Sequence, residues 1–198
     1  MKNQDLTEKM AFITEIEKLK IVYRQNGVFD KSRFENSAEH SWHVTLMAVL
    51  LLDHASLPDL DILKVVKMLL IHDIVEIDAG DTFLYDEEGK TLATEKEKLS
   101  AVRIFGLLPK KYNEEFIGLW REFEERQSPE ARYAASIDAI QPLLNHLITA
   151  EKDSNPYQMT RAKVLDKKAF IQEVSEELWE LTRDLIEKSV ENGLYSRD

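Results

Sequence analysis

An all-α bundle of about seven helices is the fold class this sequence predicts, and three observations carry that expectation. Apolar residues recur at helical spacing through most of the 198 residues. Six Gly and five Pro offer little punctuation for the tight turns of an all-β sandwich or barrel. No stretch holds a persistent period-two alternation. With 43% hydrophobic and 32% charged residues, the chain suits one domain, residues 1–198, around one sizeable core.

The elements follow from local signals. A first helix is expected from Leu6 to Gln25, with Phe12, Ile16, Leu19 and Tyr23 on one side and Asn26-Gly27 ending it. Ser37 offers an N-cap hydroxyl to a second helix that reaches His54 or Ala55. Asp59, after Pro58, is the expected cap of a third helix ending near Ile77. The stretch DAGDTFLYDEEGK then reads as an acidic, glycine-containing loop of a length often tied to function. A fourth helix runs from Leu92 to Phe105 and stops at Gly106 and Pro109; a fifth spans Lys110 to Arg126. Ser128-Pro129-Glu130 supplies a cap and a proline at the first helical position for a sixth helix, which continues to Thr149. Residues 151–166 form a polar connection, and a last helix from Lys168 to Glu191 closes before Gly193. Its Leu178, Trp179, Leu181 and Leu185 suit either the core or a subunit interface. There is no internal repeat and no low-complexity segment.

Composition excludes several chemistries. The chain has no cysteine, which removes disulfides, thiolate nucleophiles and Cys-containing zinc sites, and fits a reducing cytoplasm. A net charge of −11 without any block of Lys and Arg argues against nucleic acid as a partner. The opening MKNQDLTEKMAF lacks the apolar segment of a signal peptide, and the longest apolar run, Val44 to Leu52 broken by Thr45, is far short of a membrane span. The expected setting is the cytoplasm, with no membrane partner.

The chemistry-bearing residues gather in three stretches. In LLIHDIVEIDAGD, His72 and Asp73 are adjacent, so on a helix their side chains diverge by about 100° and can share an ion lying between those directions. Glu76 falls on the surface between them, one turn on, where a general base would stand, and Asp81 follows it. In ENSAEHSWH, His40 and His43 share one helical face. In AASIDAIQPLL, Asp138 is embedded among small and apolar residues, where an unpaired carboxylate costs several kcal/mol unless a cation meets it. Two nitrogens and two carboxylate oxygens suit Zn, Mn, Fe, Co or Ni better than Mg. His54 and His146 read as structural residues, and Glu39 as an acid at the positive end of its helix.

At these residues the sequence resembles the HD-domain superfamily of metal-dependent phosphohydrolases. The blocks LKIVYRQ, SRFENSAEHSWH, HDIVEIDAGDTF, LWREFEERQSPEAR and ASIDAIQPLLN, in this order between about Leu19 and Asn145, are similar to the small members that act as 5′-deoxynucleotidases. The resemblance implies that His40, His72, Asp73 and Asp138 are metal ligands, that Glu76 acts on the attacking water, and that Asp81 stands near the substrate. It also implies that Arg24 approaches the phosphate, with Arg33 adding charge nearby, and that the protein is a homodimer. Two positions depart from the pattern: His43 stands where the compared enzymes have another polar residue and is not counted as a ligand, and Gln25 replaces a tryptophan packed near the nucleotide. The implied activity is hydrolysis of a nucleoside 5′-monophosphate with a divalent transition metal. A phosphodiesterase or pyrophosphohydrolase acting on a signalling nucleotide, and a non-catalytic metal- or nucleotide-binding module, are the alternatives.

Overall fold

The computed structural model describes residues 2–81 and 87–197. It is an all-α architecture with one small hairpin, and its elements depart from the expected boundaries in ways that shape the site. Helix α1 (Lys2–Ile16) gives way to a 3-10 turn (Glu17–Ile21), and the chain then extends as β1 (Tyr23–Gly27) instead of staying helical to Gln25. β1 pairs antiparallel with β2 (Phe34–Asn36), with Tyr23 opposite Asn36 and Gly27 opposite Phe34. The short alternation is visible in hindsight: Arg24 and Asn26 turn inward while Tyr23 and Gln25 face out. Asp30 holds the hairpin turn by accepting from the Ser32 amide and hydroxyl.

Helix α2 (Ser37–Leu50) starts one residue from the expected cap, because Asn36 takes that role. Its side chain accepts from the Glu39 amide while Glu39 reaches back to the Asn36 N–H, a complete capping box. Ser37 is thereby free for another partner. The helix ends at Leu50, and a 3-10 turn (Leu52–His54) follows. Helix α3 (Ile62–Ile71) is capped by Asp61, not by Asp59, whose left-handed backbone (φ 54°) places it in the preceding turn. It stops at Ile71 and not at Ile77: His72–Val75 form a 3-10 turn and α4 (Glu76–Ala79) follows, ended by Gly80 at φ 78°. In a 3-10 turn residues three apart eclipse, which stacks Asp73 and Glu76 on one side.

Within the expected acidic loop, residues 82–86 lie outside the described residues, and α5 (Glu87–Phe105) begins earlier than Leu92. Helix α6 (Lys110–Glu125) ends at Arg126, which is left-handed at φ 52°. Helix α7 (Pro129–Thr149) has the expected Ser128 cap and N-terminal proline. The stretch expected as a polar connection contains α8 (Arg161–Lys168), capped by Thr160; a 3-10 turn (Ala169–Glu173) separates it from α9 (Glu176–Glu191), capped by Ser175. The last helix therefore starts well after Lys168.

Helix α7 is the central element, packed by α2, α3, α6 and α9. Its Tyr133, Ile137 and Ile140 are fully buried, and the Tyr133 hydroxyl donates to the Ala48 carbonyl of α2 at 2.8 Å. Leu178, Trp179 and Leu185 of α9 are buried in the core, while Leu181 is exposed. Pro142 lies inside α7 and lacks the N–H that would bond to the carbonyl four residues earlier, that of Asp138. Among the described residues no helix is long and apolar enough to cross a membrane. Asn36→Ala removes the side-chain half of the α2 cap and should lower the unfolding free energy by about 1 kcal/mol. A urea titration with a lower midpoint and unchanged slope would show it.

Candidate metal centre

Three elements deliver the central side chains. The inner face of α2 supplies His40, the 3-10 turn after α3 supplies His72 and Asp73, and α7 supplies Asp138. Ligand atoms of His40, His72 and Asp73 all lie within 4.8 Å of one another, and all three residues are buried. Asp138 Oδ1 is 2.8 Å from His40 Nε2 and 3.5 Å from His72 Nε2, so it closes the cluster from the third side.

The second group of expected residues sits against the first. Arg24, on the inward face of β1, places Nη1 2.9 Å from Asp73 Oδ2 and 3.8 Å from Asp81 Oδ1. Glu76 accepts the Ser37 hydroxyl at 2.6 Å, and Asp81 is near enough for the two acids to influence one another. Burial lifts the Glu76 carboxyl well above its usual range, with the Asp73 charge adding to the effect and Arg24 opposing it. Burial raises Asp81 as well, although Arg24 pulls the other way. A carboxyl raised in this manner is poised to exchange a proton closer to neutral pH than a free glutamate.

His72 carries the clearest sign of what the centre is built to hold. Its Nδ1 lies 2.9 Å from the Leu69 carbonyl, which can only accept, so Nδ1 bears the proton. Among the described residues Nε2 is buried without a hydrogen-bond partner, yet Asp73 Oδ1 is 3.0 Å away and Asp138 Oδ1 3.5 Å. A lone pair facing two carboxylates repels them unless a proton or a metal ion lies between. Without an ion the proton takes that place: burial alone would lower the imidazole, but the Asp73 and Asp138 carboxylates overcome it and push His72 up to about 9. Burial likewise disfavours ionised Asp138, but the His40 hydrogen bond and the neighbouring His72 ring hold it well below the usual carboxylate range. The donor set of imidazole nitrogen and carboxylate oxygen fits a divalent transition metal, and the residues present fit such an ion.

The remaining expected residues are placed elsewhere. Arg33 is exposed and paired with Glu39 at 2.6 Å. Gln25 faces away from the cluster and accepts from the Tyr157 hydroxyl at 3.2 Å, so its departure from tryptophan falls on the outward face of β1. His54 pairs with Glu177 at 2.7 Å, and His146 stacks on Tyr195 at 5.7 Å. Two acids that sequence reasoning passed over feel the cluster. Half-buried Glu97 of α5 is raised by burial and by Asp73. Glu124 of α6 reaches solvent yet is crowded by protein, and it is pushed up to about 7 by that loss of water and by Glu97. Beside Glu124, the Phe123 ring lies 5.0 Å from that of His72. The signal was the position of Phe123-Glu124 inside the quoted block LWREFEERQSPEAR.

An all-α bundle closed around two imidazoles and several buried carboxylates defines a metal-binding helical protein. A family model described as an HD domain matches residues 16–179. Among curated proteins, the chain is 25% identical over 191 residues to 5′-deoxynucleotidase HDDC2 of Mus musculus, covering 93% of this chain and 94% of that one. It is 26% identical over 148 residues to the protein of the same name from Danio rerio, covering 74% and 72%. Among solved structures, a "predicted metal-dependent phosphohydrolase" from Magnetospirillum magnetotacticum MS-1 is 42% identical, with a TM-score of 0.88 over 98% of this chain and 99% of that one. A Pyrococcus horikoshii OT3 protein shares the fold, with a TM-score of 0.66 at 21% identity, over 89% of this chain and 99% of that one. The chain belongs to the HD-domain family and is a metal-dependent phosphohydrolase of that type.

The raised His72 contributes to the pH dependence of the metal-free fold. Its folded value, about 9, lies above the ordinary value of 6.5, so the protonated ring stabilises fully below about pH 6.5 and that stability is lost as pH rises through about 9. Urea midpoints of metal-stripped protein should fall across this window and stay flatter in His72→Gln. Midpoints that rise with pH would contradict the arrangement.

Proposed function

We propose that the chain hydrolyses ribo- or deoxyribonucleoside 5′-monophosphates, with His40, His72, Asp73 and Asp138 holding the divalent metal. The observation that carries this reading is the pairing of Arg24 with Asp73 and Asp81, with buried Glu76 beside them, against the His40, His72 and Asp73 cluster. The relatives named 5′-deoxynucleotidase support the choice of substrate. Mn, Co, Zn, Fe and Ni suit the donor set better than Mg. When bound, such an ion supplies Lewis-acid assistance at a phosphate oxygen and makes a nearby water easier to deprotonate.

The chain's own residues do the rest. Glu76, anchored by Ser37, orients the attacking water and accepts its proton. Asp81, near Arg24 and raised by burial, positions or protonates the leaving oxygen. Arg24 uses one nitrogen on Asp73 and keeps further N–H donors for phosphate oxygens, which suits a planar guanidinium better than a lysine. Arg33 is engaged by Glu39 and receives no substrate contact in this reading.

We further propose that a second copy of the chain covers the outer face of α2. Trp42, Leu46 and Val49 recur there at helical spacing and, with Leu50, are exposed, Trp42 by 65%. The cysteine-free composition supports a cytoplasmic setting. Sedimentation should show a dimer that a Trp42→Glu/Leu46→Glu double variant converts to monomer; a monomeric parent protein overturns this part.

Phosphate release from a panel of nucleoside monophosphates, with metal-stripped protein and Mn, Co, Mg or Zn added back, tests the activity. Release should require metal and vanish in Asp73→Ala. Glu76→Gln should keep its metal and lose roughly 10²- to 10⁴-fold in kcat, while Arg24→Lys should raise KM. Full kcat in Glu76→Gln would refute the assignment of the base.

A further inference from the structure

His40 is fully buried, and both of its ring nitrogens are engaged by α7. Nε2 faces the centre, 2.8 Å from Asp138 Oδ1 and 3.9 Å from Asp73 Oδ2. Nδ1 lies 3.0 Å from Oε1 of Gln141, one turn after Asp138. Gln141 is itself fully buried, and its amide nitrogen donates to Glu35 Oε1 at 3.0 Å and lies 3.2 Å from His43 Nδ1. Glu35 is buried on β2, where its other oxygen has no hydrogen-bond partner and stands 3.8 Å from His40 Nδ1.

With Glu35 as a carboxylate, the polarity of this chain of groups has one consistent solution. An ionised carboxylate only accepts, so the amide turns its NH₂ toward Glu35 and its oxygen toward His40. An amide oxygen only accepts, so His40 must present a proton on Nδ1. The second amide hydrogen finds the lone pair of His43 Nδ1. With the proton fixed on Nδ1, Nε2 is the nitrogen whose lone pair can face the centre. His72 is fixed the same way by the Leu69 carbonyl, but His40 has no carbonyl in that role and relies on a side chain.

We propose that Gln141, oriented by Glu35 and His43, is a positioning residue that fixes the tautomer and aim of His40 toward the metal. This rests on the reading of the cluster as a metal centre. It also gives His43 a role that does not require it to be a ligand.

The test is Co(II) affinity, measured by chelator competition with the full chain, in variants whose metal-free thermal unfolding is recorded alongside. Gln141→Met keeps the volume and removes the acceptor; it should weaken Co(II) binding about 10- to 100-fold. The double variant Glu35→Gln/Gln141→Glu reverses which residue carries the charge yet keeps an acceptor at His40 and a donor toward residue 141. It should bind within about threefold of the parent protein, whatever its unfolding midpoint. Wild-type affinity in a folded Gln141→Met, or no recovery in a folded double variant, overturns the proposal.

A measurement on the parent protein guards against variants that do not fold. In the Zn(II)-loaded form, nitrogen-15 shifts of His40 should show Nδ1 protonated, and a proton on Nε2 overturns the assignment. Failure of the parent protein to take up Co(II) or Zn(II) would instead overturn the metal-centre reading beneath it.

Discussion

The structure depends on the mutual repulsion of Asp73, Glu76, Asp81 and Asp138, four acids brought to one partly or fully buried point with Arg24 as the guanidinium set against them. Unpaired, such a group of carboxylates would not stay ionised away from water. The molecule answers in three ways. Burial favours the protonated forms of Glu76 and Asp81 and the neighbouring carboxylates favour protonated His72, the Arg24 guanidinium is drawn in and held charged by Asp73 despite its burial, and His40 and His72 clasp Asp138. A divalent cation would relieve the same repulsion more completely.

The scaffold is arranged to impose that gathering. Helix α7 runs through the middle of the bundle and fixes Asp138 and Gln141 on one face, while Tyr133 ties it to α2 through the Ala48 carbonyl. The capping box at Asn36 sets where α2 begins and hence where His40 points, and it leaves Ser37 to hold Glu76. The break of α3 at Ile71 matters as much. A continuous α-helix would carry Asp73 and Glu76 around its surface at 100° per residue, whereas the 3-10 turn stacks them and lets α4 bring Glu76 back to Ser37. The hairpin performs the same task for Arg24, since extension at β1 turns alternate side chains inward.

The bundle was legible in local periodicity, whereas the grouping of His40, His72, Asp73 and Asp138 was legible chiefly through the family resemblance, with Asp138 also marked by its own surroundings. Helical periodicity is written over many residues, and an acid among alanines and isoleucines, as at Asp138, has few stable explanations. What the sequence concealed was the short irregular structure that aims the side chains. Val22 to Gly27 has too few residues for an alternation to stand out, so the end of the first helix was overrun. The 3-10 turn at His72 sits inside an apolar run that reads as one helix, and the choice between Asn36 and Ser37, or Asp59 and Asp61, turns on backbone angles that no spacing reveals. Arg33 and Glu39 show the opposite limit. Both were noticed for their charge, and they spend it mainly on one another at the surface.

The chemistry of the site depends on whether this charge is arranged for a metal. The most direct measurement is the metal content and binding stoichiometry of metal-stripped protein titrated with Mn(II) in a calorimeter, with His72→Ala beside it. One ion should bind per chain with release of protons, chiefly from His72, and the variant should lose that binding while remaining helical by circular dichroism. No uptake by the parent protein, or equal uptake by the folded variant, would mean that the buried histidines and acids only satisfy one another.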